Sequence, residues 1–217
     1  MIYKKILLAL ILIFLFHSCG TPYYAGVNDM GGQPATLLLT TGVELNGKVQ
    51  IKSFDQYSNI SYVNFAEGTS NNYHNYPLNE IEYLYFNGSK FYVKLLQGND
   101  MWSGNALRFV KQLTPNNSDL QLYENEFLVK STDGKVTKEM QLFVQLPQNK
   151  LEIYSTQSDK FIPKFDEKVS NYLQNCPELS SKIKSKDKDF FYAFVNQGET
   201  KRKQVWMNIV NEYNYCR

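Results

Sequence analysis

The hydrophobic pattern of the chain changes its period once, near residue 156, and this change constrains the fold more than any other feature. From residue 35 to about 155, apolar residues alternate with polar ones, as in half-buried β-strands. After residue 158 they recur at spacings of three and four, which is typical of amphipathic helices. The sequence therefore predicts an α+β protein: an N-terminal antiparallel β sandwich or barrel-like roll followed by a small C-terminal helical region.

Turn signals divide the first region into eight to ten short strands. Asn87-Gly88 separates the apolar runs 80–86 and 89–96, and this dipeptide is the strongest short hairpin signal because both of its residues tolerate positive φ. Asp133-Gly134 is a second candidate tight turn. Separate strands are expected at 119–123 and 127–131. No helical stretch lies between the strands, so parallel βαβ units are not expected.

Prolines and a glycine divide the second region into helices. Pro163 suits a first helical turn, Pro177 ends one helix and opens the next, and Gly198 precedes a third. The expected apolar stripe of the first helix comprises Phe161, Ile162, Phe165, Val169, Tyr172, Leu173 and Cys176. The run Lys201-Arg202-Lys203 is interpreted as the polar face of the last helix.

The N-terminal residues predict an export signal. Residues 6–16 form an apolar run of 11 residues behind Lys4 and Lys5, which is too short to span a bilayer but fits a secretory signal. Phe16-His17-Ser18-Cys19 resembles the lipobox of bacterial lipoproteins, although Phe16 and His17 depart from its usual residues. The resemblance implies cleavage after residue 18 and lipidation of Cys19. An ordinary cleaved signal with a chance cysteine is the alternative.

These features predict four parts of the chain: a signal peptide (1–18), a lipidated flexible tether (19–34), the β domain (35–155) and the helical tail (156–217). The tether follows from four glycines and two prolines without a hydrophobic period. A membrane contact through the lipid on Cys19 follows from the lipobox, because buried acyl chains anchor a protein without any protein contact.

Composition limits the chemistry of the exported chain. Of the 23 Lys and Arg residues, two lie within 1–18, so 21 basic residues face 21 acidic ones after cleavage. A balanced charge disfavours binding to nucleic acid. With His74 as its one histidine, the chain shows no metal-ligand pattern, no phosphate-binding loop and no nucleophile motif. No cofactor, metal or catalytic residue is therefore predicted.

Two weak enzymatic alternatives remain at the level of sequence. His74 lies in a polar stretch typical of a loop. Glu80 and Glu82, like Glu124 and Glu126, are two residues apart and would share one face of a strand. Such carboxylate pairs can perform acid–base chemistry, but exposed sheet faces produce the same spacing.

Cys176 and Cys216 are the two cysteines that remain besides Cys19, and they are predicted to form a disulfide in an oxidising compartment. Each lies at the apolar end of a predicted helix. The bridge would stabilise a helical region that is small by itself. A redox-active pair is the alternative, but the spacing is not Cys-x-x-Cys.

The chain is unusually rich in tyrosine: it has 16 tyrosines, and 15% of its residues are aromatic. A tyrosine ring has an apolar body and a polar tip, which suits a protein interface or sugar stacking. The alternative is strand propensity alone. The candidate binding surface around the Asn87-Gly88 hairpin comprises Tyr62, Tyr73, Tyr76, Tyr83, Tyr85 and Tyr92.

Taken together, the chain resembles functionally unassigned exported lipoproteins of the Bacteroidota. The likeness rests on residues 41–49 (TGVELNGKV), 76–81 (YPLNEI), 176–179 (CPEL) and 209–216 (IVNEYNYC). It implies a β domain with a helical tail and no known catalytic residues. Acidic residues, which usually follow the lipidated cysteine in surface-exported relatives, are missing from 20–24. The resemblance therefore points to the periplasmic face of the outer membrane.

Three function classes follow, in order of preference. The first is a non-enzymatic lipoprotein that binds a protein partner in the envelope. The second is a glycan-binding lipoprotein that uses the tyrosine-rich strand face. An enzyme is the third.

The lipid anchor is directly testable. Cys19→Ala should leave the protein unlipidated with an uncut signal, because the cysteine is the site of both lipidation and cleavage. Metabolic labelling with a fatty acid and the mass of the N-terminal peptide measure this. Normal processing and membrane recovery of the variant would contradict the prediction.

Overall fold

A computed structural model describes residues 32–51, 60–97, 106–115, 117–130, 136–193 and 198–216. Within these residues it contains ten strands followed by three α-helices, so the predicted α+β class is confirmed. The predictions for the signal, Cys19 and the Asp133-Gly134 turn lie outside the described residues.

All ten strands belong to one sheet. In chain order they are β1 (Gln33–Leu39), β2 (Glu44–Gln50), β3 (Tyr62–Glu67), β4 (His74–Pro77), β5 (Ile81–Phe86), β6 (Ser89–Gln97), β7 (Ala106–Gln112), β8 (Gln121–Lys130), β9 (Val136–Gln145) and β10 (Glu152–Ser155). Their order in the sheet is β10-β9-β8-β7-β6-β5-β1-β2-β3-β4. The three helices are α1 (Phe165–Tyr172), α2 (Pro177–Lys184) and α3 (Glu199–Tyr215).

Strands β6 to β10 close into a small barrel. β10 pairs with β9 on one side and with β6 on the other. The β10–β6 pair is parallel, whereas the other strand pairs of the sheet are antiparallel. An up-and-down barrel with an odd number of strands must bring two strands of the same direction together at its seam. The sequence predicted only antiparallel pairing, because a seam of this kind has no local signal.

The hairpin of β5 and β6 connects the barrel to the rest of the sheet. Asn87 and Gly88 both have positive φ, at 47° and 70°, which confirms the predicted turn. Beyond β5 the sheet continues through β1, β2, β3 and β4. Gly47 on β2 permits the close approach of β3, since a Cβ at this position would lie 2.0 Å from the carbonyl oxygen of Ala66.

The N-terminal half of the sheet has its own core. The rings of Phe86, Phe91 and Phe109 stack in sequence across β5, β6 and β7, with centroids 4.9 and 5.3 Å apart. A 3₁₀ turn, Leu78–Glu80, contacts β7 and buries Leu78 in the same cluster. This half therefore curls back over the outer surface of β6 and β7.

The helices cover the other part of the barrel's outer surface. Leu122 of β8 and Val144 of β9 point outward and pack in one cluster with Phe161, Val169 and Trp206. The residues beside them point inward, so Tyr123 and Phe143 fill the barrel. Both faces of these strands are thus buried, and the helical region shares its core with the β region.

A buried carboxylate also ties α3 to the barrel. Glu124 on β8 is only 7% exposed, and its oxygens lie 3.3 Å from Lys111 Nζ and 2.7 Å from Lys203 Nζ. Lys203 is therefore not merely on a solvated helix face, as the sequence suggested. A buried carboxylate between two ammonium groups is strongly destabilised when either partner is removed.

Three element boundaries differ from expectation. β8 is one strand of 10 residues, not two short ones. β1 begins at Gln33, and Pro34 is tolerated because the pairing with β5 starts only at Ala35. α1 begins at Phe165, because Lys164 before it is in the left-handed region, with φ 71°. The expectation that Pro163 lies in the first helical turn is therefore wrong, and Phe161 and Ile162 reach the core from the preceding turn.

The structure joins the two predicted cysteines. Cys176 precedes α2, Cys216 follows α3, and their Cα atoms are 5.7 Å apart across 40 residues of chain. Beside this bridge, the Asn175 side-chain amide donates to the Tyr213 hydroxyl at 2.6 Å, and Lys182 pairs with Glu212. The disulfide therefore joins the start of α2 to the end of α3 within the helical region.

In protein isolated from its native compartment, neither cysteine should react with an alkylating reagent before reduction. Cys216→Ser should lower the free energy of unfolding by about 2–4 kcal/mol, because the bridge restricts the unfolded chain. Hydrogen exchange should rise in α2 and α3 before it rises in β6–β10. Reduced natural protein is the control and should match the variant; two alkylated cysteines in the unreduced protein would contradict the prediction.

Candidate functional site

Four side chains on the β5–β6 hairpin form a surface that we call the tyrosine face: Tyr83, Tyr85, Lys90 and Tyr92. The register places Tyr83 opposite Tyr92 and Tyr85 opposite Lys90, so all four point to the same side of the sheet. The Tyr83 and Tyr92 ring centroids are 5.7 Å apart. Lys90 Nζ lies 3.6 Å from the Tyr83 ring centroid, within the range of a cation–π contact.

Neighbouring strands extend this face. Thr36 of β1 lies opposite Tyr85, and the Tyr83 hydroxyl is 3.4 Å from Glu44 Oε2 on β2. Partial burial raises the pKa of Tyr83, the charge of Lys90 opposes this shift, and Glu44 adds to it. The Tyr83 hydroxyl therefore keeps its proton at neutral pH.

A groove of about 860 Å³ runs beside the tyrosine face. One wall is formed by Tyr83, Tyr85 and Lys90, and the other by residues 111–115, which lead from β7 towards β8. Tyr85, the second-last residue of β5, is 48% exposed, which is high for an aromatic side chain within a strand. The groove thus offers an accessible ring together with polar and apolar surface.

The same side of β6 continues into the mouth of the barrel. Tyr92 meets Tyr123 edge to face at 6.2 Å, and Lys94 Nζ lies 5.3 and 5.5 Å from their two ring centroids. Lys94 donates to Gln145 Oε1 at 2.9 Å and to the Lys150 carbonyl at 2.7 Å. The sequence could place Lys94 beside Tyr92, but Tyr123 and Gln145 reach it only because the barrel closes.

Burial strongly perturbs the Lys94 amine. Desolvation lowers the pKa of Lys94 to about 8, and the nearby charge of Glu82 only partly opposes this. Burial likewise raises the pKa of Tyr123 far above its ordinary value. A lysine at this depth, held by an amide and a carbonyl oxygen, is electrostatically costly to the folded state.

The six predicted tyrosines do not form one surface. The structure brings Tyr83, Tyr85 and Tyr92 together, whereas Tyr62 lies three strands away from β5 on the same side of the sheet. Tyr76 points to the other side, where its ring meets the buried Phe65 edge to face at 6.4 Å. Tyr73 lies half-buried before β4. The closeness of a tyrosine to the hairpin in sequence did not predict which side of the sheet its ring faces.

The acid–base alternatives are scattered. His74 is the exposed first residue of β4, and Glu80 lies in the 3₁₀ turn, outside the strand that carries Glu82. Glu80 and Glu82 therefore do not form the strand pair that their spacing suggested. Glu124 and Glu126 both lie on β8, but Glu124 is paired with two lysines, and the side chain of Glu126 lies outside the described part of the chain. Among the described residues, no three His, Cys, Asp or Glu side chains lie close enough to hold a metal.

Comparisons of the chain with models of protein families, with curated proteins and with solved structures found no match. None of the helices in the described part of the chain is both long and apolar enough to cross a membrane.

Replacing Lys94 by Met should raise the free energy of unfolding at pH 7, because it removes a buried ammonium while Gln145 Oε1 keeps the Tyr123 hydroxyl as a donor. Between pH 8 and about 10.5 the folded protein releases the Lys94 proton before the unfolded chain does, so the natural protein gains stability as the pH rises. The variant lacks this gain, and its advantage should shrink over the same range.

Urea denaturation at pH 7, 8, 9 and 10 measures the effect, with Lys188→Met at an exposed lysine as the control. Identical pH dependence in the natural protein and in Lys94→Met would contradict the assignment.

Proposed function

We propose that this protein is a non-catalytic, lipid-anchored module of the bacterial outer membrane, on its periplasmic side, and that it binds a protein partner of the envelope through the tyrosine face. The observation that carries the proposal is the exposed Tyr85 beside an open groove with Lys90 and Tyr83 on the same wall. Tyrosine and lysine stems supply apolar contact area, and their polar ends give orientation.

The position of the tether supports a partner close to the membrane. β1 begins at Gln33 and its next residues pair with the hairpin end of β5, so the chain enters the fold near the tyrosine face. Residues 20–32 reach about 45 Å at most when extended. A lipid on Cys19 would therefore hold the tyrosine face within reach of membrane proteins.

The charge of the groove indicates the kind of segment that fits. Lys90 has no carboxylate partner among the described residues, and the acidic residue of the lining, Glu44, lies 3.4 Å from the Tyr83 hydroxyl. A partner segment with an aromatic or aliphatic anchor next to a carboxylate would complement both the ring of Tyr85 and the ammonium of Lys90.

The glycan alternative is less well supported at this face. Sugars stack on an open ring face, but Lys90 already lies over the Tyr83 ring and, at 5.1 Å, close to that of Tyr92. Tyr85 alone offers a largely open ring. A protein segment, which needs no continuous aromatic platform, fits the observed arrangement better.

Tyr83→Ser combined with Tyr85→Ser should abolish recovery of the partner from solubilised outer membranes and should impair the cellular phenotype of the gene. Tyr215→Ser is the matched control, since Tyr215 is 87% exposed and does not line the groove. A photoreactive residue at position 85 should cross-link the same partner. Circular dichroism and thermal melting of each variant establish that it folds.

His74→Ala, Glu80→Gln and Glu82→Gln should leave the phenotype unchanged. A folded protein that loses all function through one of these carboxylates, while it tolerates the tyrosine changes, would overturn the proposal in favour of an enzyme. Retention on a glycan resin that depends on Tyr85 would favour the second alternative.

A further inference from the structure

A second cleft, of about 480 Å³, lies where the turn between β9 and β10 meets α1 and the turn after it. It shares no lining residue with the groove at the tyrosine face. Its volume falls within the range of about 300–1,000 Å³ that is common for small-ligand sites. We call it the amide cleft after its lining.

Side-chain amides dominate this lining: Gln148, Asn149, Asn171, Gln174 and Asn175. Two of them are held in place, because Asn149 Oδ1 accepts from the Leu151 amide at 3.1 Å and Asn175 donates to Tyr213. The structure gives the other three no side-chain partner among the described residues. Each amide offers a donor and an acceptor a short distance apart, which matches a pair of adjacent sugar hydroxyls.

Two tyrosines and a lysine complete the polar wall. Tyr154 and Tyr172 both pack edge to face on the buried Phe161, at 6.4 and 6.2 Å, so their rings are fixed from behind. Lys160 Nζ lies 4.1 Å from the Tyr154 centroid and 4.9 Å from the Tyr172 centroid. The lining contains no carboxylate, and Lys160 has no ion-pair partner within the described part of the chain.

The Tyr154 hydroxyl is oriented by Glu152, because it donates a hydrogen bond to Glu152 Oε2 at 2.9 Å. Burial and this hydrogen bond raise the pKa of Tyr154 to about 12, so the hydroxyl stays protonated at neutral pH. Because its proton is directed to Glu152, its oxygen is available to accept a hydrogen bond from a ligand hydroxyl.

The cleft is held rigid on its helical side. Gln174 and Asn175 directly precede Cys176, whose bond to Cys216 ties this turn to the end of α3. A binding surface that is ordered before the ligand arrives loses less conformational entropy on binding.

We propose that the amide cleft binds a saccharide that carries a carboxylate, such as a uronate-containing oligosaccharide. The amides and the Tyr154 hydroxyl pair with sugar hydroxyls, and Lys160 provides the positive charge for the sugar carboxylate. An apolar ligand would desolvate five amides without replacing their hydrogen bonds. Glycoside cleavage generally needs paired carboxylates, and the described residues that line the cleft include none, so the proposal is one of binding.

Calorimetry on the mature chain tests this with a set of uronate oligosaccharides: trigalacturonate, a trimannuronate and a chondroitin tetrasaccharide. Galactotriose is the uncharged counterpart of trigalacturonate. At least one acidic sugar should bind, at least five-fold more tightly than an uncharged sugar of the same linkage. Asn171→Ala with Gln174→Ala should weaken this binding at least ten-fold, and Lys160→Met should remove the preference for the acidic sugar.

Asn211→Ala, at an exposed helical asparagine outside the cleft, is the matched control and should bind normally. Thermal melting shows whether each variant folds. The inference is overturned if no acidic sugar binds, if the uncharged counterpart binds equally well, or if the cleft variants leave binding unchanged. Binding that is lost through Tyr85→Ser instead would move the sugar to the tyrosine face, and none of these results depends on the protein partner of that face.

Discussion

The parallel pairing of β10 with β6 is the interaction on which the rest of the structure depends. It joins Glu152 to Leu95 and Tyr154 to Gln97, and it converts an open meander into a closed five-stranded barrel. Closure gives β8 and β9 an inner and an outer face, both of which become buried. Without this pairing the barrel would stay open, and Tyr123 and Gln145 would not be brought to Lys94 and Tyr92 at the barrel mouth.

The barrel also explains why one chain carries two separate candidate sites. The N-terminal half of the sheet packs on one part of the barrel's outer surface, and the helices pack on another. A cleft lies at the edge of each of these two contacts. The groove beside Tyr85 lies at the first of these edges and the amide cleft beside Tyr154 at the second. The two clefts differ in chemistry: the first offers an exposed ring and lysines, and the second offers amides around one lysine.

Much of the fold could be predicted from local patterns. Asn87-Gly88 formed the expected turn, and Pro177 opened α2 as expected. The boundaries were wrong where tertiary packing overrides local preference, as at Phe161, which is apolar and in helical register yet enters the core from a turn. Of the candidate site, the sequence predicted Tyr83, Tyr85 and Tyr92, but it could not show that Tyr76 faces the core.

The sequence alone determined that a strand region precedes a helical region, the hairpin, and the side of β6 on which Lys90, Tyr92 and Lys94 lie, because these depend on residues close together in the chain. Tertiary structure alone decided the parallel seam, the burial of Glu124 between Lys111 and Lys203, and the assembly of the amide cleft from a strand turn and a helix end. The seam joins β6 to β10, and the contact of Lys203 with Glu124 spans 79 residues of chain. Lys111 faces Glu124 from the neighbouring strand, so this part of the cluster follows from the β7–β8 pairing. No local pattern of hydrophobicity or turn residues encodes the closure of the barrel.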